Sequence, residues 1–545
     1  MGTPPAVQSA ADGYAQSLLP PKELWPVFDY SAEHLRNYPP RLNVAATLLD
    51  AAVADGHGDK VMLHYGDAAW TYGILLDHVQ RINRVLTGVL RVRPGECVLL
   101  RSRNSPMLAA AWLAVVRAGA IAVAASPMLR QEELAFIVDK LRIRIGLCEL
   151  SVATDLEALL ARSEWLESVT CFTDLGNGGA KAELDALAER QAPGGPWADT
   201  AADDIATIVF SSGTTGSPKA VAHFHRDLLA VCDCWRYPIP IAPDEPMCAT
   251  SGMAFTYGLT SNLLYPLRFH TSAVLLPAVT PELLLGAIER HRVAALITVP
   301  TVLRGLLPQL RSADASSLIK CFSSGEPLHR ELWHAWHDAT GVRIIQGFGA
   351  SEFMSRVLSP SAQGEPVGSL GRAVPGYTAC LVNEHGEAIP PGGRGFLAVR
   401  GPTGCRYLGD QQKQREFVRN GWNVTSDVFD QDTDGCFWYV GRKDDIIVSS
   451  GYNIAAIEVE RAIASHPAVL ECAVVGAPDK IRGMIVRACV VLRNKKDASE
   501  DTVRIIQEHV KATIAPYKYP REVRFMEQLP RTTSGKVEKY KLQRA

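Results

Sequence analysis

Short runs of apolar and β-branched residues recur through the first 350 residues, alternating with longer segments where apolar residues return every three or four positions. The first pattern is typical of buried strands and the second of amphipathic helices. This alternation predicts α/β layers with largely parallel sheets. We expect strands at Cys97–Leu100, Ile205–Phe210, Ala273–Leu276, Ala294–Thr298 and Arg343–Ile345, and helices at Pro281–His291 and Glu331–Thr340.

The pattern changes after about residue 380, where Gly and Asp pairs become frequent between short apolar runs. Such turns favour hairpins, so this part is expected to be a separate, more antiparallel β portion. The chain beyond Gly441 mixes both kinds of element in an order that suggests a small α+β domain. Its predicted helices are Ala455–Ser465 and Ser499–Ile514, and its predicted strands are Cys472–Gly476, Arg487–Arg493 and Glu522–Met526.

The predicted fold is therefore α/β with two domains, since 545 residues exceed what one hydrophobic core usually supports. Residues 1–441 would form a large domain of layered α/β subdomains plus a β-rich subdomain. Residues 442–545 would form a small, mobile α+β domain. The Gly- and Ala-rich stretch Gly176–Gly195 is interpreted as a surface connection.

Charge and composition narrow the partners to small molecules. The net charge is −2, from 56 basic and 58 acidic residues, which disfavours nucleic acid or an anionic membrane as a partner. The most apolar stretch, Leu108–Ala125, contains Arg117 and Gly119, so we expect a buried helix followed by a buried strand. The first residues carry no basic-then-apolar signal, and the 12 cysteines form no CxxC pair, which together indicate a cytoplasmic protein.

A hydroxyl- and glycine-rich segment ending in lysine follows the predicted strand Ile205–Phe210. Polyphosphate binding needs backbone N–H groups that approach closely, together with hydroxyl donors and a cation. Lys219 lies between Pro218 and Ala220, so the spacing is not that of a Walker A loop. The segment predicts a phosphate loop made of Ser211, Ser212, Gly213, Thr214, Thr215, Gly216, Ser217, Pro218 and Lys219.

That loop and the motifs after it resemble those of the adenylate-forming superfamily, which includes acyl-CoA synthetases. The second motif, Gln346-Gly347-Phe348-Gly349-Ala350-Ser351-Glu352, resembles the superfamily's YGxTE element. The resemblance implies that Phe348 faces adenine, that Ser351 binds the α-phosphate and that Glu352 helps to hold Mg²⁺, a cation that prefers carboxylate and phosphate oxygens. Phe and Ser replace the common Tyr and Thr.

Further motifs appear in the same order as in the superfamily. By resemblance, Gly325, Glu326 and Pro327 would line the base, and Gln346, Gly347 and Gly349 would bind ATP or AMP. Asp427, in a segment similar to the TGD motif, would accept hydrogen bonds from both ribose hydroxyls. Arg442 would contact the ribose or a phosphate.

The carboxyl-terminal motifs imply a two-step reaction with domain rotation. By resemblance, Asp444 would be the hinge, while Gly451 and Tyr452 would line the tunnel for coenzyme A. Lys536, in a segment similar to PxTxSGK, would stabilise charge on the α-phosphate during adenylation. The implied substrates are ATP with Mg²⁺, a carboxylic acid and coenzyme A.

The acid is predicted to be aromatic. The segment Ala254–Leu259 resembles the FxYGL element of benzoate- and 2-aminobenzoate-CoA ligases, which implies that Thr256, Tyr257 and Ala350 line the acyl pocket. Arg356 departs from these ligases, which are less polar there. It would pair either with a protein carboxylate or with a substituent of the acid, such as a second carboxylate.

Other functions stay open at this point. A medium-chain fatty acid–CoA ligase differs only in substrate preference, and a stand-alone enzyme could load a carrier protein instead of free coenzyme A. A non-catalytic nucleotide-binding regulator is disfavoured because Lys219, Glu352, Asp427, Arg442 and Lys536 are all present. A homodimer is left open, since no residue demonstrates one.

Overall fold

The computed structural model describes residues 13–177, 182–211, 218–237, 240–325, 328, 330–361, 364–442, 446–530, 537 and 539–544. These residues form five β-sheets with helices packed between and around them. In chain order the helices are α1 (Tyr14–Ser17), α2 (Tyr72–Arg84), α3 (Pro106–Arg117), α4 (Gln131–Leu141), α5 (Thr154–Leu160), α6 (Glu183–Glu189), α7 (His225–Trp235), α8 (Thr256–Leu259), α9 (Tyr265–Phe269), α10 (Pro281–His291), α11 (Pro300–Leu306), α12 (Arg330–Thr340), α13 (Gln411–Phe417), α14 (Ala456–Ala464), α15 (Glu500–Thr513) and α16 (Lys539–Arg544).

The first two-thirds of the chain contribute two mostly parallel sheets. Their strands are β1 (Val61–Tyr65), β2 (Ala68–Thr71), β3 (Cys97–Arg101), β4 (Ile121–Ala125), β5 (Ile145–Glu149), β6 (Ser168–Phe172), β7 (Ile205–Ser211), β8 (Lys219–Phe224), β9 (Met247–Ala249), β10 (Ala273–Val274), β11 (Ala295–Thr298), β12 (Lys320–Ser323) and β13 (Ile344–Gln346). One sheet has the order β6-β5-β3-β4-β7-β8, and the other has the order β13-β12-β11-β9-β10-β1-β2.

Helix α3 shows why these layers form. The Ser105 hydroxyl accepts a hydrogen bond from the Leu108 N–H at 3.1 Å, and Pro106 occupies the first turn, which are both standard helix-starting features. Every residue of α3 is buried, and the chain then turns at Gly119, with φ of +72°, directly into β4. The helix-then-strand prediction for Leu108–Ala125 is confirmed.

The third and fourth sheets are antiparallel and follow the parallel layers in the chain. Their strands are β14 (Phe348–Gly349), β15 (Arg356–Ser359), β16 (Arg372–Ala373), β17 (Thr378–Val382), β18 (Ala388–Ile389), β19 (Arg394–Arg400), β20 (Val418–Arg419), β21 (Trp422–Gln431) and β22 (Phe437–Arg442). Strands β14–β16 form one sheet and β17–β22 the other. The predicted antiparallel β portion after residue 380 is confirmed.

A fifth sheet is built only from strands that come after residue 445. These are β23 (Ile446–Ser449), β24 (Tyr452–Ala455), β25 (Val469–Asp479), β26 (Gly483–Leu492) and β27 (Glu522–Phe525). Helices α14 and α15 cover it and share its apolar core. The α/β class with a carboxyl-terminal α+β unit is as expected, whereas the boundary at 441/442 stays a prediction.

One detail differs from the sequence interpretation. The stretch Gly176–Gly195 contains α6, because Leu184 and Ala188, four residues apart, are buried on one helix face. No helix among the residues that the structure describes is long and apolar enough to cross a membrane.

Candidate active site

The predicted phosphate loop connects two antiparallel strands. Ser211, the last residue of β7, lies directly across from Lys219, the first residue of β8. The segment between them is therefore the connection of a hairpin at the edge of the first sheet. Six loop residues lie outside the described part of the chain: Ser212, Gly213, Thr214, Thr215, Gly216 and Ser217.

A buried carboxylate and a tyrosine lie next to this hairpin. Glu352 is 8 % exposed, and its Oε1 accepts a hydrogen bond from the Tyr407 hydroxyl at 2.6 Å. Burial, reinforced by the charge of Glu352, raises the pKa of Tyr407 far above its usual value, so the phenol keeps its proton and donates it. The ammonium of Lys219 lies 5.2 Å from the centre of the Tyr407 ring. This arrangement orients a carboxylate beside the phosphate hairpin.

Main-chain pairing and a glutamine hold Tyr407 in place. Its segment pairs with β8: Tyr407 forms a bridge with Val221, and the Leu408 N–H donates to the Ala220 carbonyl at 2.9 Å. The Tyr407 N–H donates to Oε1 of Gln414 at 2.9 Å. The phenol is thus fixed relative to Lys219 by backbone hydrogen bonds.

A buried histidine supports the turn that carries Ser351 and Glu352. The Nε2 of His223 lies 2.8 Å from the Ser351 carbonyl oxygen, which can only accept a hydrogen bond. Burial lowers the pKa of His223 to about 4, so the ring is neutral and carries its proton on Nε2. The imidazole therefore fixes the backbone of Ser351 and does not act as a base.

Aromatic rings surround Phe348, the residue predicted to face adenine. Its ring centre lies 5.0 Å from that of Phe429, edge to face, and 6.4 Å from that of Tyr439. Gly325 follows β12 with φ of +86°, a conformation that favours glycine. The Phe348 ring, packed against two other aromatic rings, is an apolar surface suited to a base.

Glycines keep the neighbouring strand ends close together. The Gly347 N–H donates to the Ser323 carbonyl at 2.9 Å, and Gln346 ends β13, adjacent to β12. A side chain at Gly349 would overlap the Ser355 carbonyl. Glu326 and Pro327, also predicted to line the base, lie outside the described residues.

The predicted ribose ligand lies on the adjacent antiparallel sheet. Asp427, on β21, is 8 % exposed, and its Oδ1 is 3.4 Å from the Tyr439 hydroxyl. The Asp427 N–H donates to the Thr425 hydroxyl at 3.2 Å. Arg442 lies directly across from Asp427 in the pairing of β21 with β22. The two residues predicted to contact the ribose are therefore cross-strand neighbours.

The acid-pocket segment begins α8 and contacts Arg356. The Tyr257 hydroxyl donates to the Thr298 carbonyl at 3.3 Å and accepts from Nη2 of Arg356 at 3.3 Å. Burial raises the pKa of Tyr257, although the nearby guanidinium acts in the opposite direction. Thr256 precedes Tyr257 as the first residue of α8, and Ala350 is half-buried just after β14.

The carboxyl-terminal unit approaches the site through the start of β24. The Tyr452 ring lies 6.1 Å from that of Phe255, beside the acid-pocket segment. A methyl group placed on Gly325 would be 4.0 Å from the carbonyl oxygen of Gly451. The residues predicted for the coenzyme A tunnel thus lie against those predicted for the base and the acid. Asp444 and Lys536 lie outside the described residues.

Sequence reasoning missed several residues that the fold brings to the site. These are Tyr407 beside Glu352, Phe429 and Tyr439 around Phe348, and Trp235 and Phe322 around Arg356. The three consecutive aromatic residues Phe437–Tyr439 were a signal for an aromatic strand, but nothing in the sequence connects Tyr407 with Glu352.

Comparisons with known proteins identify the family of this chain. The family model described as AMP-binding enzyme matches residues 50–407, and the model for the AMP-binding enzyme C-terminal domain matches residues 458–536. An uncharacterized acyl-CoA ligase, YtcI, of Bacillus subtilis (strain 168) is 32 % identical over 89 % of this chain and 93 % of its own. The mouse mitochondrial acyl-coenzyme A synthetase ACSM3 is 30 % identical over 90 % of this chain and 85 % of its own.

A solved structure extends the comparison to three dimensions. The anthranilate CoA ligase AuaEII, crystallised with anthranoyl-AMP, superposes with a TM-score of 0.72 at 30 % identity, covering 93 % of this chain and 98 % of that chain. Anthranilate is another name for 2-aminobenzoate. The chain therefore belongs to the AMP-binding enzyme family and is an AMP-forming acyl-CoA synthetase, an enzyme that consumes ATP and coenzyme A.

Proposed function

We propose that this synthetase activates an aromatic carboxylic acid of the benzoate or 2-aminobenzoate type. The observation that carries the proposal is the aromatic lining beside the acid-pocket segment. The rings of Tyr257, Trp235 and Phe322 all lie within 6 Å of the Arg356 guanidinium. Flat aromatic walls favour a flat aromatic substrate. The likeness to the anthranilate ligase supports the same choice.

In the first half-reaction, a carboxylate oxygen of the acid attacks the α-phosphorus of ATP while the bond to pyrophosphate breaks. Charge gathers on the α-phosphate, where the Ser351 hydroxyl, Lys219 and Lys536 would stabilise it. Asp427 and Arg442 would hold the ribose. The adenine would lie along Phe348, which Phe429 and Tyr439 support from behind.

The donor set at Glu352 fits Mg²⁺. One buried carboxylate, with its orientation fixed by Tyr407, is a usual protein contribution to a magnesium site whose other ligands are phosphate oxygens and water. The cation would neutralise charge on the phosphates when bound. Tyr407 acts by keeping the carboxylate aimed at the phosphate hairpin.

In the second half-reaction, the thiol sulfur of coenzyme A attacks the acyl carbon, the bond to AMP breaks and the thiol proton is released. The observed placement of Gly451 and Tyr452 against Gly325 and Phe255 suits this step, because a residue without a side chain leaves room for a narrow thiol arm. We propose that the small domain turns near Asp444 to present Lys536 for the first half-reaction.

The proposal can be tested by measuring pyrophosphate release with ATP and Mg²⁺, in the presence and absence of coenzyme A. The acids to compare are benzoate, 2-aminobenzoate, hydroxybenzoates, phenylacetate, hexanoate and octanoate. We expect release with the aryl acids that becomes sustained turnover when coenzyme A is added. Release with only the aliphatic acids would instead identify a fatty acid–CoA ligase. Release that coenzyme A does not sustain would point to loading of a carrier protein.

A further inference from the structure

The buried arginine of the acid pocket stands apart from the other buried arginines. Arg356, at the start of β15, is only 5 % exposed. Among the described residues it makes no ion pair, and its guanidinium forms one hydrogen bond, to the Tyr257 hydroxyl. Its Nε is buried and has no hydrogen-bond partner within the part of the chain that the structure describes. The other buried arginines of the described chain each pair with an Asp or Glu: Arg101, Arg117, Arg226, Arg406 and Arg487.

No described residue near Arg356 supplies the missing negative charge. Three rings face the guanidinium, with Phe322 at 4.9 Å, Trp235 at 5.7 Å and Tyr257 at 5.8 Å from its carbon to their centres. Cation–π contacts compensate only part of the cost of burying a cation. A phenol with a raised pKa is neutral and adds no charge.

The backbone also holds the arginine in this position. A side chain on Gly347 would overlap Cδ of Arg356, so the glycine leaves the space that the arginine side chain occupies. The neighbouring Ser355 hydroxyl is held at 2.5 Å from the Tyr265 hydroxyl, and the Tyr265 ring stacks on Trp235 with centres 4.4 Å apart. The Arg356 guanidinium is therefore held in a fixed position beside Tyr257, a residue predicted to line the acid pocket.

We propose that Arg356 binds a second anionic group on the acid, so that the substrate is an aromatic dicarboxylic acid. A planar guanidinium matches a carboxylate through two parallel hydrogen bonds, and the three rings suit the flat body between the two carboxylates. One carboxylate is activated on the α-phosphate, and the other pairs with Arg356. This inference rests on the proposed function and specifies its substrate class.

The test compares matched acids in the full-length enzyme. We would measure kcat/KM for pyrophosphate release with benzoate, with benzene-1,2-, 1,3- and 1,4-dicarboxylate, and with the monomethyl ester of each, in wild type, Arg356→Lys and Arg356→Met. We expect wild type to prefer at least one dicarboxylate over its own ester by about 30-fold or more, because a truncated buried charge pair costs that much. Arg356→Met should lose this preference while still activating benzoate, and Arg356→Lys should fall between.

A binding measurement keeps the inference testable without turnover. Titration calorimetry with the same dicarboxylates should show binding to wild type that weakens about 30-fold or more in Arg356→Met, with circular dichroism confirming that the variant is folded. If wild type activates benzoate and binds no dicarboxylate better than the ester, the aromatic rings alone hold the arginine and the inference is overturned. If no acid releases pyrophosphate but Arg356-dependent binding persists, the proposed function fails instead.

Discussion

On the nucleotide side of the site the buried carboxylate of Glu352 accepts a hydrogen bond from Tyr407, whereas on the acid side the buried guanidinium of Arg356 has a single phenol and three rings. Both groups are less than a tenth exposed. The charge of Glu352 is oriented by Tyr407 for the reaction with ATP, which is the same for every acid. The other lacks a counter-charge from the described residues.

This difference separates catalysis from selectivity. The nucleotide side needs the same geometry whichever acid is bound, so its groups are fixed by backbone pairing and by partners within the protein. The acid side must recognise one molecule, and a charge that only the substrate neutralises penalises every acid that lacks the matching group. Changes on the first side should therefore lower the rate for all acids equally, and changes on the second should alter the ranking of acids.

The largest effect is expected for Glu352→Gln. The amide keeps the shape but removes the negative charge that a hard cation requires. We expect kcat for pyrophosphate release to fall roughly 10²- to 10³-fold for every acid tested. Glu416→Gln, on the exposed helix α13, is the matched control and should leave the rate unchanged. A loss confined to some acids would contradict the separation of the two sides.

Lys518→Met should slow the second half-reaction, in which the thioester forms. Lys518 of the carboxyl-terminal unit lies between Glu133 at 2.7 Å and Glu458 at 2.5 Å, joining the two parts of the chain. Burial alone would lower the pKa of Lys518, but Tyr517 and the two carboxylates raise it overall, so the amine stays charged. Removing it leaves two buried carboxylates facing each other, which is strongly destabilising.

For Lys518→Met we therefore expect thioester formation to slow by about tenfold or more, with pyrophosphate release in the absence of coenzyme A nearly unchanged. Stopped-flow measurement of the two half-reactions separates them. The control is Lys511→Met, since Lys511 forms a more exposed pair with Glu508 on α15. Equal slowing of both half-reactions would show that the ion pairs of Lys518 with Glu133 and Glu458 do not favour one domain arrangement.

Tyr257→Phe should change the ranking of acids and leave the nucleotide side intact. The variant removes the hydroxyl that accepts a hydrogen bond from Arg356. Loss of one such hydrogen bond changes selectivity by about three- to tenfold. We expect the ratio of kcat/KM between charged and uncharged ring substituents to shift by that factor, with the KM for ATP unchanged. A raised KM for ATP at constant selectivity would place Tyr257 on the nucleotide side.

The smallest effect on activity is expected at α7, where the change should instead appear in stability; this helix begins after β8 and ends at Trp235, so both sides share it. His225 is fully buried and its Nδ1 accepts from the Val44 N–H at 3.1 Å. Burial lowers the pKa of His225 to about 3, so the folded protein excludes a proton that the unfolded chain binds below about pH 6.5. Stability is therefore lost as the pH falls from 6.5 towards 3.

His225→Asn keeps an acceptor near the Val44 N–H and removes this titration. Between pH 5 and 6, unfolding of the variant should take up nearly one proton fewer than unfolding of wild type. The slope of its unfolding free energy against pH should therefore be lower by about 1.4 kcal/mol per pH unit. Thermal unfolding at pH 7 and pH 5 measures this as a smaller drop in Tm for the variant. An identical drop in both proteins would mean that the histidine is protonated in the folded state.

The same contrast explains how much the sequence could predict. The strands and helices were recognisable from the spacing of their apolar residues. The nucleotide motifs were recognisable because close backbone turns require glycine and phosphate chemistry requires particular side chains at fixed spacing. Helix α10 was predicted with its observed bounds, Pro281–His291.

Contacts between distant residues could not be predicted. Tyr407 and Glu352 are 55 residues apart, and Arg356 and Tyr257 are 99 apart, so neither pair leaves a local pattern. The sequence suggested a protein carboxylate or a substrate group as the partner of Arg356. Only the packing of β12, β15, α7 and α8 shows rings and a phenol around it among the described residues.

The most direct test of the account is to look for the adenylate itself. The enzyme would be mixed with ATP, Mg²⁺ and the acid that gives the fastest pyrophosphate release, first without coenzyme A and then with it, and the products would be identified by mass spectrometry. We expect acyl-AMP at no more than one equivalent per enzyme, which is converted to acyl-CoA and AMP when coenzyme A is added. ADP and phosphate as products, with no acyl-AMP, would contradict it.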